Sequence, residues 1–125
     1  MRTLLVLVFT FWASVLTAGD LLSESQGHWE GEGVLASGMT WPIYVHFKPN
    51  SADVVTPDDG CEAVWTYSRL GSGLIEGWEE VTVGMDRCYV GLKFAVTQYD
   101  ESRLEVNWFK PSGVFIAEAL LWRVQ

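Results

Sequence analysis

The sequence predicts an all-β fold, a small antiparallel up-and-down β-barrel of about eight strands tied by one disulfide. Three observations predict it. Apolar and polar residues alternate with period two over several segments, turn residues punctuate those segments at short intervals, and two cysteines stand in a chain addressed to an oxidising compartment.

The address comes first in the chain. Arg2 gives a short positive start, Leu4 to Leu16 form an almost unbroken apolar run, and the small residues Thr17-Ala18-Gly19 precede a polar stretch from Asp20 to Gln26. That order is the pattern of a cleavable signal peptide. A membrane span needs about 20 apolar residues, and this run meets Gly19 and Asp20 first. Residues 1–19 are therefore expected to be removed, leaving 20–125 as a single exported domain, periplasmic or secreted. No cysteine lies near the cleavage region to carry a lipid.

Strands are expected near 27–36, 39–48, 52–56, 61–70, 74–83, 88–97, 103–109 and 114–124. In the second, Trp41, Ile43, Val45 and Phe47 alternate with Thr40, Pro42, Tyr44 and His46. In the sixth, Cys88, Val90, Leu92, Phe94 and Val96 form one phase, and in the seventh Leu104, Val106 and Trp108 do. Turn compositions such as Ser37-Gly38, Pro57-Asp58-Asp59-Gly60, Gly71-Ser72-Gly73 and Lys110-Pro111-Ser112-Gly113 separate them. Short connections favour a meander, and closing it into a barrel removes exposed edges.

The alternation assigns an interior of Trp29, Trp41, Phe47, Trp65, Tyr67, Phe94, Trp108 and Phe115, with room supplied by Gly31, Gly33, Ala117 and Ala119. Eight strands enclose a space just wide enough for side chains or one small ligand. So many aromatic rings would largely fill it, which speaks against a roomy cavity.

In a meander the fourth and sixth strands start at the same end, where Cys61 and Cys88 lie. Strands two apart are separated by about 9 to 10 Å, beyond disulfide reach of about 7 Å between Cα atoms. At least one cysteine should therefore lean over the rim in a loop, stapling residues 56–60 to 84–87. At the opposite end Trp29 opens the first strand and Arg123 closes the last, so the guanidinium should lie against the indole.

Gly27-His28-Trp29 and the late Arg123 resemble the Gly-x-Trp start and terminal arginine of lipocalin-like (calycin) barrels. A broader likeness rests on Trp29-Glu30-Gly31, Gly60-Cys61, Glu80, Cys88-Tyr89-Val90-Gly91, Trp108 and Leu121-Trp122-Arg123. Together these are similar to an uncharacterised class of short exported bacterial domains. The resemblance implies a small disulfide-bonded barrel and no established activity.

Glu80 alternates in phase with Trp78; if that phase faces inward, its carboxylate must be paired or protonated. An ion pair or turn amides are its expected partners, and Glu79 should point the other way. Signals of catalysis are thin. His28 and His46 are far apart in the chain and have no serine nucleophile motif nearby. Asp58-Asp59-Gly60 lacks the ligand series of a calcium loop, and two cysteines without a histidine pair make no zinc site. No cofactor or metal is expected, and the chain reads as no enzyme.

Without Arg2, seven basic residues face sixteen acidic ones, a net charge of about −9. Phosphate backbones and anionic membranes repel such a surface, whereas a basic protein would be attracted. In the last strand both phases are apolar, leaving Ile116, Leu120, Trp122 and Val124 as an outer stripe of the kind that marks an interface. Arg103, Glu105 and Asn107 break the alternation that a lipid-facing barrel needs.

The expected function is an exported interaction module that binds a basic protein, as a periplasmic inhibitor or immunity-type protein would. Its candidate contacts are Asp58, Asp59, Met85, Asp86 and Arg87 at the rim and Leu120 and Trp122 on the stripe, which could also serve a homodimer. The alternatives are a calycin-like carrier of a small apolar ligand and a hydrolase using a buried carboxylate.

Overall fold

Alternation closes the chain on itself. In the computed structural model, which describes residues 25–70 and 73–124, eight strands run in chain order around a closed antiparallel barrel. They are β1 (Gly27–Leu35), β2 (Thr40–Phe47), β3 (Ser51–Thr56), β4 (Cys61–Leu70), β5 (Leu74–Val83), β6 (Lys93–Gln98), β7 (Arg103–Phe109) and β8 (Phe115–Arg123). The expected signal peptide, 1–19, lies outside the described residues.

Closure is carried by β1 and β8, paired from Trp29↔Arg123 to Leu35↔Ala117. One phase of every strand forms the core, with Ile43, Val45, Phe47, Trp65, Phe94, Val96, Leu104, Val106 and Leu121 all nearly inaccessible. Gly33 and Trp41 face each other across β1 and β2, and a Cβ at Gly33 would run into the Trp41 ring. The glycine lets the indole fold down inside the barrel.

Three expectations need correction. The sixth strand begins at Lys93 rather than Cys88. Residues 84–92 instead form a long loop over the rim, where Gly91 has a φ of +75° and Val90 is exposed. Period two through a segment that includes a left-handed glycine does not make a strand. Phe115 is 42% exposed rather than interior. A register shift pairs Trp108 with Ala117 but Phe109 with Phe115, so Ile116 is the extra residue of a bulge. The bulge turns Ile116 toward the core and leaves Phe115 outside, edge-on to Phe109 at 6.0 Å between centroids. Ile116 thereby leaves the outer stripe. Finally, the aromatic rings do not fill the barrel from end to end.

Candidate functional site

The two ends of the barrel differ from the side chains upward. At the end where β1 begins, Arg123 lies over Trp29, its Cζ 4.7 Å from the ring centroid. The Trp29 Nε1–H donates to the carbonyl of the buried Ser25 at 2.8 Å, and Arg123 Nη1 donates to the Gln26 carbonyl at 3.0 Å. The lead-in to β1 thus crosses the barrel end and is held there by both side chains. Below it Phe47, Tyr67, Trp65 and Phe94 pack ring against ring, with Trp65 and Phe94 stacked at 4.3 Å. Tyr67 donates its hydroxyl to the Lys48 and Ser51 carbonyls, so even its polar tip is satisfied.

At the other end the rings stop halfway. Trp108 lies 6.0 Å from Trp65 and 5.5 Å from Trp41, and beyond these is a cavity of about 340 Å³ that opens between the rim loops. Its walls are mostly apolar, among them Trp41, Ile43, Val54, Ala63, Val81 and Leu92. The residues facing into its mouth come from the β1–β2, β3–β4 and β5–β6 loops and from the start of β8. Small side chains make the space: Ala63 on β4 and Ala117 on β8 occupy inward positions where larger residues would close it.

A carboxylate lies at the boundary between the packed half and the cavity. Glu79 belongs to the inward phase of β5, with Ile75 and Val81. Its Oε1 accepts two indole N–H donors, from Trp65 at 2.8 Å and Trp108 at 3.1 Å. Glu79 lines the cavity. Its Oε2 takes no protein hydrogen bond among the described residues, and no buried side-chain oxygen there lacks a partner, so Oε2 is accessible rather than sealed in the core. Burial raises the Glu79 pKa from its ordinary value, although the Trp65 and Trp108 hydrogen bonds act in the opposite direction.

Glu80, weighed from sequence as an inward acid, is exposed, as is Trp78, which carries Lys93 over its ring at 5.6 Å. The inward acid is its neighbour. The signal was the phase of Ile75 and Val81; Trp78, a large aromatic residue on the other phase, obscured it.

The rim holds several of the sequence-derived candidates. Cys61, the first residue of β4, is bonded to Cys88 in the β5–β6 loop, with Cα atoms 6.4 Å apart. Both border the cavity, with Asp58, Asp59 and Arg87. Arg87 ties the two loops together, donating from Nε to the Asp59 carbonyl at 2.7 Å and from Nη2 to the Gly60 carbonyl at 3.0 Å. Its third contact is the Asp86 carboxylate at 3.1 Å. Met85 is 63% exposed and stands outside the cavity lining.

Leu120 and Trp122 lie apart from the rim, in a groove on the outer face of β7, β8 and β1. Cross-strand rows place Leu120 between Glu105 and Glu32, and Glu118 between Asn107 and Val34. The Trp122 indole donates to Glu30 at 3.3 Å. The two histidines, distant in sequence, stack on the outer face at 4.1 Å, far from the cavity end. Among the described residues no group of three or more His, Cys, Asp or Glu is placed to hold a metal ion.

No family model and no curated protein matches the chain. Solved structures do. A redesigned β-barrel, b11L5F_LGL, aligns with a TM-score of 0.64 at 14% identity, over 83% of this chain and 95% of its own. A second redesigned barrel, mFAP1 bound to DFHBI, gives 0.62 at 15% identity, over 86% of this chain and 99% of its own. A fluorescence-activating barrel designed de novo gives 0.53 at 15%, over 84% of this chain and 98% of its own. At such identities the likeness is one of fold: a small closed eight-stranded barrel.

Proposed function

We propose that this chain is an exported, non-catalytic carrier that holds a small, largely apolar molecule in the cavity at the disulfide end of its barrel. The cavity itself carries this reading. Ligand sites typically enclose about 300 to 1,000 Å³ behind apolar walls with a few placed polar groups. Here about 340 Å³ lies behind aromatic and aliphatic walls, with one carboxylate at its floor. The packed half shows that this chain can fill a barrel with rings, so the space at the other end reflects the small side chains placed there. Among the structural neighbours one barrel is described as bound to DFHBI and another as fluorescence-activating, which supports reading a barrel of this size as a ligand holder.

Titration with Nile red, a neutral solvatochromic dye, tests the proposal. Saturable enhancement is expected with the wild type and its loss with Ala63→Phe, which fills the cavity from β4. Circular dichroism should show that the variant keeps its sheet. An unchanged dye response in a folded Ala63→Phe, or none in the wild type, would count against a cavity site.

A second reading is favoured by the outer groove, where Glu32, Glu105 and Glu118 flank Val34, Leu120 and Trp122. Acidic residues around an apolar floor suit a cationic segment of a protein partner, as an inhibitor of a basic hydrolase would engage. Calorimetric titration with a Lys/Leu peptide should show salt-sensitive binding that Glu118→Lys weakens. Binding indifferent to both would leave the groove without that role, and self-association would assign it to a homodimer.

A further inference from the structure

Resting on the cavity reading, we propose that the ligand is a cationic amphiphile. An apolar, preferably aromatic body would sit against Trp41 and Trp108, and a single ammonium or amidinium group would donate to Glu79 Oε2.

The geometry separates the two carboxylate oxygens. Oε1 is fixed by two indole donors, which sets the plane and direction of the carboxyl group. Oε2 remains accessible, and Glu79, half-buried, is the one carboxylate on the lining that is not exposed. The other acids on the lining, Asp58, Asp59 and Glu62, are exposed at the mouth. A cation entering the cavity exchanges water for a charge-assisted hydrogen bond in a poorly solvated place, where such bonds are strongest.

The rim selects the same charge. Four carboxylates line the cavity, from Asp58, Asp59, Glu62 and Glu79, against the single guanidinium of Arg87. That guanidinium is already engaged by two backbone carbonyls and Asp86, so an anionic headgroup would find no free cation among the lining residues. A fatty acid or another apolar anion would meet Glu79 as a like charge. An apolar amine would be drawn in by the rim and held at the floor.

Protonation sets the pH dependence. Burial holds Glu79 protonated to a higher pH than an ordinary carboxylate. The other ionisable groups around it, Asp58, Asp59, Glu62, Arg87 and Tyr89, stand exposed at the rim. An ammonium ligand should therefore weaken as pH falls and Glu79 gains its proton, whereas a neutral analogue should hardly respond.

Three probes of one shape test the proposal: 1-naphthylmethylammonium, 1-naphthalenemethanol and 1-naphthoate, titrated calorimetrically into wild type and Glu79→Gln. The ammonium should bind the wild type about tenfold or more better than the alcohol, in keeping with one charge-assisted hydrogen bond, and the carboxylate worst. In Glu79→Gln the ammonium advantage should be lost, the ammonium-to-alcohol affinity ratio falling toward one. Should that variant fail to fold, the wild type's own pH series decides: the ammonium-to-alcohol ratio must fall on acidification. An alcohol that binds as well as the ammonium, or an advantage that survives Glu79→Gln or ignores pH, overturns the ligand class and leaves the carrier reading standing. No binding by any of the three overturns both.

Discussion

The closed and open ends of the barrel use the same alternating strands and differ in what their inward positions carry. At the closed end Trp29, Phe47, Trp65, Tyr67 and Phe94 form a continuous set of ring contacts, capped by Arg123 and the residues leading into β1. At the open end the inward positions hold Ala63, Ala117, Val54 and Val81, and the covering loops are held by Cys61–Cys88 and Arg87. Ring packing excludes water and leaves no room. Covalent stapling of loops keeps a rim in place without filling what lies beneath it. One end therefore supports the fold, and the other can serve a ligand.

Truncation should expose that division most strongly. Phe47→Ala, in the packed half, is expected to cost about 3 to 5 kcal/mol, because the hole it leaves is walled by rigid rings. Leu92→Ala, which enlarges a cavity already present, should cost about 2 kcal/mol, at the low end for such truncations. Urea unfolding measures both, and equal losses would break the distinction between the halves.

Replacing Cys61 and Cys88 together with serine should cost about 2 to 4 kcal/mol, since the bond joins residues 27 positions apart and so closes a loop in the unfolded chain. Its sharper consequence is local: hydrogen exchange should rise in residues 57–60 and 84–92 and stay unchanged in β1 and β8. Next in size is Arg123→Ala, expected to cost about 1 to 3 kcal/mol through lost packing on the indole as well as lost charge. A double-mutant cycle with Trp29→Phe should be non-additive; additive effects would separate the cap into independent contacts.

The smallest effect at neutral pH belongs to Glu79→Gln, because the amide oxygen can still accept from Trp65 and Trp108. Its signature is in the pH dependence. Glu79 has a raised pKa in the fold, so the folded state holds its proton at pH values where the unfolded chain has released it. Stability from this group is present below the unfolded carboxylate pKa and is lost as pH rises through the folded one. The glutamine variant should decline less over that interval than the wild type. A decline of equal slope would mean that Glu79 is not the buried acid responsible.

Much of this was legible in the residues. Period two at Trp41–Phe47 and Leu104–Trp108, with short turns between strands, led to the closed meander, and that meander brings the cysteines to one rim, although Cys88 lies in the loop before the sixth strand and not at its start. The site was harder to read. Alternation says which phase faces in, but Phe115 and Ile116 exchange roles at a one-residue bulge that leaves no mark on composition. Val90 keeps the period of the sixth strand while lying in a loop. Glu79 was hidden by its neighbours, because Trp78 is the larger apolar residue and yet faces outward. The cavity depends on how far along the axis each ring reaches. That is a matter of register between strands, which no single strand's pattern contains.

Indole N–H resonances test most directly the claim that one end binds and the other end supports. In a ¹⁵N-labelled sample, Trp108 and Trp65 report on the cavity floor through their bonds to Glu79, and Trp29 reports on the closed end through its bond to Ser25. On titration with 1-naphthalenemethanol the Trp108 and Trp65 indole peaks should shift in a saturable way, with Trp29 unmoved. Shifts confined to Trp29, or to the exposed Trp78 and Trp122, would contradict the assignment of the open end as the binding site.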